Sequence, residues 1–154
     1  MLVHELTPAQ CEEVLARTTV GRLACARHDQ PYVVPISLHF DISDKALYSF
    51  STVGQKVDWM RANPKVCVEV DEIQEQLHWT TVVVFGRYEE IGHSEEEHQA
   101  RQRAYELFQQ RADWWLPGVG KLATGEEHST PVIYRVRVDR MTGRRAMREP
   151  SARR

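Results

Sequence analysis

The sequence predicts a mainly β domain with flanking helices: a small antiparallel barrel of six or seven strands, with three helices packed outside it. Three observations carry that prediction. Apolar and polar residues alternate through short runs, most plainly over 36–40, 66–70 and 132–138, and a period of two marks a half-buried strand. Helical periodicity appears in only three places, each opened by a Ser/Thr-x-x-Glu/Gln pattern that can cap a helix. The strands follow one another through turns and one short helix rather than regular strand–helix–strand units, which favours an antiparallel sheet.

Thr7, Pro8 and Gln10 open the first helix with a capping residue, a proline at the first helical position and the second half of a capping box. Cys11, Val14 and Leu15 give it an apolar stripe that runs to about Arg17. A strand is expected over 18–26, with Gly21 marking a bulge or a close backbone approach. The run His28-Asp29-Gln30-Pro31 is a turn. The next strand is expected over 32–40, with Ile36, Leu38 and Phe40 on a dry face and Ser37 and His39 on a wet one. Pro35 cannot donate to a ladder, so it belongs at an edge or a bulge.

Residues 41–45 close a hairpin into a strand over 46–50. Thr52 and Gln55 then read as a second capping box, Val53, Val57 and Met60 face inward, and Asn63-Pro64 stops the helix. Val66, Val68 and Val70 make a half-buried strand, 71–76 a polar turn, and 78–91 a long β-branched strand broken by Gly86. Ser94-Glu95-Glu96-Glu97 opens the longest helix, about 94–112, with Ala100, Ala104, Leu107 and Phe108 inside. Trp114-Trp115-Leu116-Pro117-Gly118 ends it. A loop over 118–130 leads to a last strand over 131–138. A single domain is expected over 1–145, with 146–154 a basic, flexible tail.

The 154 residues suit one domain, and 42% hydrophobic and 27% charged residues are ordinary for a globular chain. A net charge of -2 and a pI near 6.4 remove the electrostatic case for nucleic acid or an anionic membrane. The longest apolar runs, such as 82–85, are far too short to span a bilayer. The N-terminus has neither the basic nor the apolar region of a secretory signal. Cys11, Cys25 and Cys67 are odd in number and form no Cys-x-x-Cys pair, which argues against a disulfide framework or structural zinc and for a reducing cytoplasm.

The chemistry concentrates at the turn into the second helix. A helix N-terminus offers unpaired N–H groups and a partial positive charge, a natural seat for phosphate. Here Ser49, Ser51, Thr52, Gln55 and Lys56 edge it. The residues alone leave two readings open: a phosphate site, or an ordinary cap beside a solvated lysine. Pro35, Ile36 and Ser37 are expected beside Ser49, Phe50 and Ser51 in a hairpin, where backbone groups can read the edge of a planar ring. Trp79, Thr80 and Thr81 place two hydroxyls beside an indole on one strand. Other patterns carry less. Gly118-Val119-Gly120-Lys121 lacks the earlier glycine and the following Ser/Thr of a phosphate loop, and neither Gly-x-Ser-x-Gly nor His-Glu-x-x-His occurs. His93 and His98 do not share a helical face at zinc-site spacing. No catalytic side chain and no metal ligand set stands out.

Three stretches, VGRLACARHDQPYVVPISLHFD, LYSFSTVGQKVDWMRANPKVCVEVDEI and WTTVVVFGRYEEI, followed by IYRV and TGR, give the chain a family likeness through their order and spacing. It resembles the pyridoxamine 5′-phosphate oxidase-like superfamily of FMN-binding split β-barrels, nearest its short nitroimidazole-resistance (Nim-like) branch, over most of 18–145. The resemblance implies that the strand matching Val34, Pro35, Ile36 and Ser37 contacts the isoalloxazine ring through backbone groups. It implies that Ser49, Phe50, Ser51 and Thr52 line the flavin. The family's basic pair at the helix start falls on Gln55 and Lys56 and binds the FMN phosphate, with Gln55 in place of the first basic residue. Trp79, Thr80 and Thr81 contribute polar groups to the cofactor.

The resemblance further implies a homodimer with the flavin in the subunit cleft. It implies an FMN-dependent reductase or oxidase acting on a small organic acceptor, nitroaromatic or quinone-like. Relatives that bind haem or a deazaflavin keep these as alternative cofactors, with His39, His78 and His128 the histidines to weigh, and a non-enzymatic flavin or haem carrier is the alternative function. The Arg-Leu signature of true pyridoxamine-phosphate oxidases has no match in 133–145.

Overall fold

The computed structural model describes residues 1–110 and 131–148. The readings of Trp114-Trp115, the 118–130 loop, Gly118–Lys121, His128 and the last six residues lie outside them. The described chain runs β1 (Leu2–Glu5), α1 (Pro8–Arg17), β2 (Val20–Arg27), β3 (Gln30–Ser37), β4 (His39–Asp41), β5 (Ala46–Thr52), α2 (Gln55–Ala62), β6 (Lys65–Glu75), β7 (His78–Glu90), α3 (His98–Gln109) and β8 (Pro131–Met147).

Every strand pairing is antiparallel, in the order β3-β2-β6-β7-β8-β5-β4, with β1 added along β8. The strand expected over 32–40 is cut at Leu38. Its halves, β3 and β4, form the two opposite edges of the sheet, so the chain leaves one edge and enters the other within one residue. The sheet must therefore curl until its edges almost meet. Leu38 sits in that gap, fully buried, with its N–H donating to the Thr19 carbonyl at 2.9 Å. No ladder joins β3 to β4 or β5 among the described residues, so the barrel is split rather than closed.

Gly21 is the close approach that its position suggests. A Cβ there would come within 2.6 Å of Leu38 Cδ2 and 3.0 Å of the Glu69 carbonyl oxygen. At the β2–β3 turn His28 and Asp29 both take positive φ, 49° and 61°, the left-handed pair that matches the twist of a two-residue hairpin.

The curl encloses Leu23, Leu38, Leu47, Val68, Val70, Val82, Val84, Tyr134 and Val136, with Cys11, Val14 and Leu15 of α1 packed onto them. Thr7 and Gln10 cap α1 reciprocally, as read. Met60 carries α2 into the same core and Val57 beside it is fully buried, each stabilising the fold by roughly 1.5–3 kcal/mol. A second cluster, Tyr48, Ile91, Ala104, Leu107, Phe108 and Ile133, docks α3 on the other face of β5 and β8.

Several expected boundaries move. α2 begins at Gln55 behind Gly54, so Thr52 ends β5 and caps nothing, and Val53 is exposed rather than inward. The polar run 71–75 continues β6, because Asp71, Glu72 and Ile73 pair with β7 in turn and, after a register shift, Glu75 pairs with His78. Gly86 does not break β7 but sits at a register shift against β8, where a side chain would meet the Arg137 carbonyl. α3 starts at His98, and the Ser94 hydroxyl and N–H both bind the Glu97 carboxylate in the turn before it. β8 reaches Met147, placing Arg144 and Arg145 in paired strand. β1, an eighth strand, has no signature of its own: all four residues are exposed.

Candidate functional site

α2 starts without a side-chain cap. Gly54 is its extended N-cap residue, an added Cβ there would meet nothing within 4 Å, and the first helical bond runs from Asp58 N–H to the Gly54 carbonyl at 3.0 Å. The amides of the first turn thus face open space with no hydroxyl or carboxamide folded over them. Lys56 stands in that turn, half-buried, with no hydrogen-bond or ion-pair partner among the described residues. Burial pushes its ammonium below the ordinary lysine range. Gln55 beside it is exposed, and Asp58 is the acid of that turn, also exposed. Desolvation without a partner is costly for a cation, and an anion in front of the amides would remove the cost.

The residues of β3 and β5 meet, though not as a hairpin. β3 pairs with β2 and β5 with β4 and β8. What joins them is one bond across the split of the barrel, from Ser49 Oγ to the Ser37 carbonyl at 2.6 Å. Because β3 is an edge, one side of Val34–Ser37 carries no ladder partner, and Pro35 is exposed there. Val34 and Ser37 are half-buried and Ile36 is buried.

On β5, Ser49 and Ser51 are buried, and their hydroxyls are spent on the Ser37 and Thr52 carbonyls. Phe50 packs edge-on against Phe108 at 5.2 Å, and Thr52 is exposed. His39, expected on a wet face, is 6% exposed and packs edge-on against Phe108 at 5.4 Å. The arrival of α3 on that side of the sheet turns a solvent face into a core face.

The third group stands apart. Thr80 points into the barrel and accepts from Arg145 Nε at 3.2 Å, while Trp79 and Thr81 face the other way, half-buried. β2 and β6 separate Thr81 from β3, roughly 15 Å at ordinary strand spacing. Along β8, Thr80 pairs with Arg145 and Ser51 with Val132, at opposite ends of the strand. One chain therefore brings Lys56 and the β3–β5 residues to one region and keeps Trp79 and Thr81 out of it.

Sequence reasoning missed Tyr134. It is fully buried across from Ser49, and its hydroxyl makes no hydrogen bond among the described residues. Burial pushes that phenol up to about 12. Its place in a Val-Ile-Tyr-Arg-Val alternation reads simply as core, so only the three-dimensional neighbourhood shows the orphaned group.

A family model described as pyridoxamine 5′-phosphate oxidase matches residues 7–145. An uncharacterised protein of Rhizobium meliloti strain 1021 is 40% identical over 148 residues, covering 95% of this chain and 97% of its own. A crystal structure described as an FAD-binding protein from Mesorhizobium loti superposes with a TM-score of 0.78 at 38% identity, covering 96% of this chain and 99% of that one. A candidate 5-nitroimidazole antibiotic resistance protein from Bacteroides thetaiotaomicron shares the fold at a TM-score of 0.64 and 16% identity, over 94% and 89% of the two chains.

Proposed function

The chain belongs to the pyridoxamine 5′-phosphate oxidase family, and on that premise we propose that it is an FMN-binding homodimer working as a flavin-dependent oxidoreductase on a small organic acceptor. Lys56 carries the proposal: a half-buried cation with no partner among the described residues, at an uncapped helix start. The donors suit a phosphate, and the open edge of β3 suits the rim of a planar ring. The FAD-binding Mesorhizobium loti relative, alike over nearly its whole length, supports a flavin in this family branch.

Lys56 and the first-turn amides of α2 would hold the phosphate by charge-assisted hydrogen bonds. The Pro35 carbonyl and the Ser37 N–H, which face away from β2, would orient the ring, and Phe50, braced by Phe108, would limit water on one side. When bound, the flavin supplies the electron transfer, and the protein supplies position and electrostatics. Trp79 and Thr81 reach such a ring in our reading only from a second copy of the chain, so the site is completed across the dimer. Two buried cysteines and one half-buried, all free, suit a reducing cytoplasm.

Addition of FMN to the purified protein is expected to give a two-banded yellow spectrum on the bound fraction. Lys56→Ala is expected to weaken FMN by about tenfold to a hundredfold in a fluorescence-quenching titration, the range for a lost charged partner. A protein that takes up no flavin, or an affinity unmoved by the substitution, rejects the phosphate assignment. Anaerobic mixing of the loaded protein with NADH or NADPH tests the enzyme: bleaching of the flavin supports it, and a flavin that neither donor reduces supports a carrier instead.

A further inference from the structure

The free side of β3, an edge of the sheet, presents a reduced set of backbone groups. The bond from Leu38 N–H to the Thr19 carbonyl and the pairing of Val20 with Ser37 set the alternation along the strand. Residues 34 and 36 turn their N–H and C=O toward β2, and residues 31, 33, 35 and 37 turn theirs outward. Two of those four are Pro31 and Pro35, so half of the outward donors are missing. Another strand cannot zip onto such an edge. At the seam end an outward acceptor is used as well, since the Ser37 carbonyl takes the Ser49 hydroxyl at 2.6 Å. What remains there is one acceptor, the Pro35 carbonyl, beside one donor, the Ser37 N–H. Ser49 is 1% exposed and gives its only proton to Ser37, so it holds no donor for a ligand. It holds the ligand-facing backbone instead. The peptide between Ser37 and Leu38 is pinned on both sides, its carbonyl to Ser49 and its N–H to Thr19. β5 is itself paired with β8 from Ala46 to Thr52, so the Ser49 bond ties the free edge to the fixed side of the barrel.

We propose that Ser49 is a positioning residue: its bond to the Ser37 carbonyl fixes the Pro35 carbonyl and the Ser37 N–H in register for a ring edge that carries an N–H beside a C=O, the imide end of a flavin. The imide N–H donates to the Pro35 carbonyl, and the adjacent ring carbonyl accepts from the Ser37 N–H. This rests on the flavin reading above and names the end of the ring that meets β3. A ring nitrogen that only accepts would use Ser37 but leave the Pro35 carbonyl without a donor, and a desolvated carbonyl left unpaired is costly. An imide satisfies both groups at once. β5 runs on from Ser49 to Thr52, and α2, with Lys56 in its first turn, opens at Gln55, so the short stretch 49–56 serves the ring end and the phosphate end of one ligand.

The probes are FMN and N3-methyl FMN, titrated into the full-length protein by quenching of flavin fluorescence. Methylation removes the imide proton and leaves the Pro35 carbonyl unpaired, so the methyl derivative is expected to bind about tenfold or more weakly. Ser49→Ala releases the Ser37 carbonyl. It is expected to weaken FMN by about fivefold to tenfold and to cut the preference for FMN over the methyl derivative to below about threefold. Ser49→Thr keeps the hydroxyl and is expected to restore the preference. If Ser49→Ala weakens both flavins alike and leaves the preference where it stands, Ser49 is only structural and the proposal is overturned. Equal binding of the two flavins by the wild-type protein overturns it too, and that arm needs no variant to fold. Lys56→Ala separates this inference from the phosphate assignment, since it is expected to weaken both flavins by the same factor and keep the preference. A protein that takes up no FMN rejects the flavin reading and this inference with it, whereas binding without preference rejects the imide contact alone.

Discussion

Asp41 holds α3 to the barrel, and its removal should leave a pH signature. It lies at the end of β4 and is 3% exposed. Arg103 of α3 donates to it twice, Nε to Oδ2 at 2.8 Å and Nη2 to Oδ1 at 3.2 Å, and Ser43 adds its N–H and hydroxyl at 3.1 and 2.7 Å. The Arg103 guanidinium, helped by Ser43 and opposed by burial, lowers the carboxyl from 3.8 to about 2. A depression of that size corresponds to about 2 kcal/mol of stability. Because the folded pKa is the lower one, the contribution is complete above the unfolded value near 3.8 and is lost as pH falls through the folded value near 2.

Asp41→Asn keeps the shape and an acceptor for Ser43 but removes the charge. Urea unfolding of both proteins should therefore show the variant less stable by about 2 kcal/mol at pH 7. The gap should close as pH drops toward 2. Other acid-sensitive pairs, such as Glu72 with Arg17 and Glu90 with Arg61, titrate in both proteins and cancel in the difference. A gap that stays constant down to acid pH, or no gap at pH 7, would refute the ion pair as the anchor of α3.

Three further outcomes are expected. Gln55→Arg restores a second cation at the exposed start of α2 and should tighten FMN by about tenfold at low salt, an advantage that fades as salt is added; a salt-independent change would point away from phosphate. Gly86→Ala drives a methyl into the Arg137 carbonyl at the β7–β8 register shift and should cost about 1–3 kcal/mol in thermal unfolding, whereas an unchanged melting temperature would mean the shift relaxes freely. Tyr134→Phe deletes a buried hydroxyl that has no partner among the described residues, so urea unfolding should move by less than about 1 kcal/mol or toward greater stability, and a large loss would reveal a bond to that oxygen.

Where one residue type dictates local geometry, the sequence reads directly onto the fold. Thr7, Pro8 and Gln10 cap α1 as their chemistry requires, Asn63-Pro64 ends α2, and alternate valines place one face of β6 in the core. The misreadings share a different cause. Thr52 looks like a cap because hydroxyl-x-x-amide spacing is local, but β5 pairs with β8 as far as Thr52 and Pro131, and a residue held in a ladder cannot also bend into a cap. Residues 71–75 look like a turn because they are polar, yet their pairing with β7 is fixed by the valines before them. β1 is held by Arg144–Met147 across the ladder rather than by its own pattern.

The same distinction governs the site. Lys56 was legible because a cation at a helix start is a local feature. Its missing partner was not, since that depends on which carboxylates the fold brings near. The β3 contribution was legible as a strand with a proline, but its value to a ligand comes from its place at the sheet edge, which follows from the cut at Leu38.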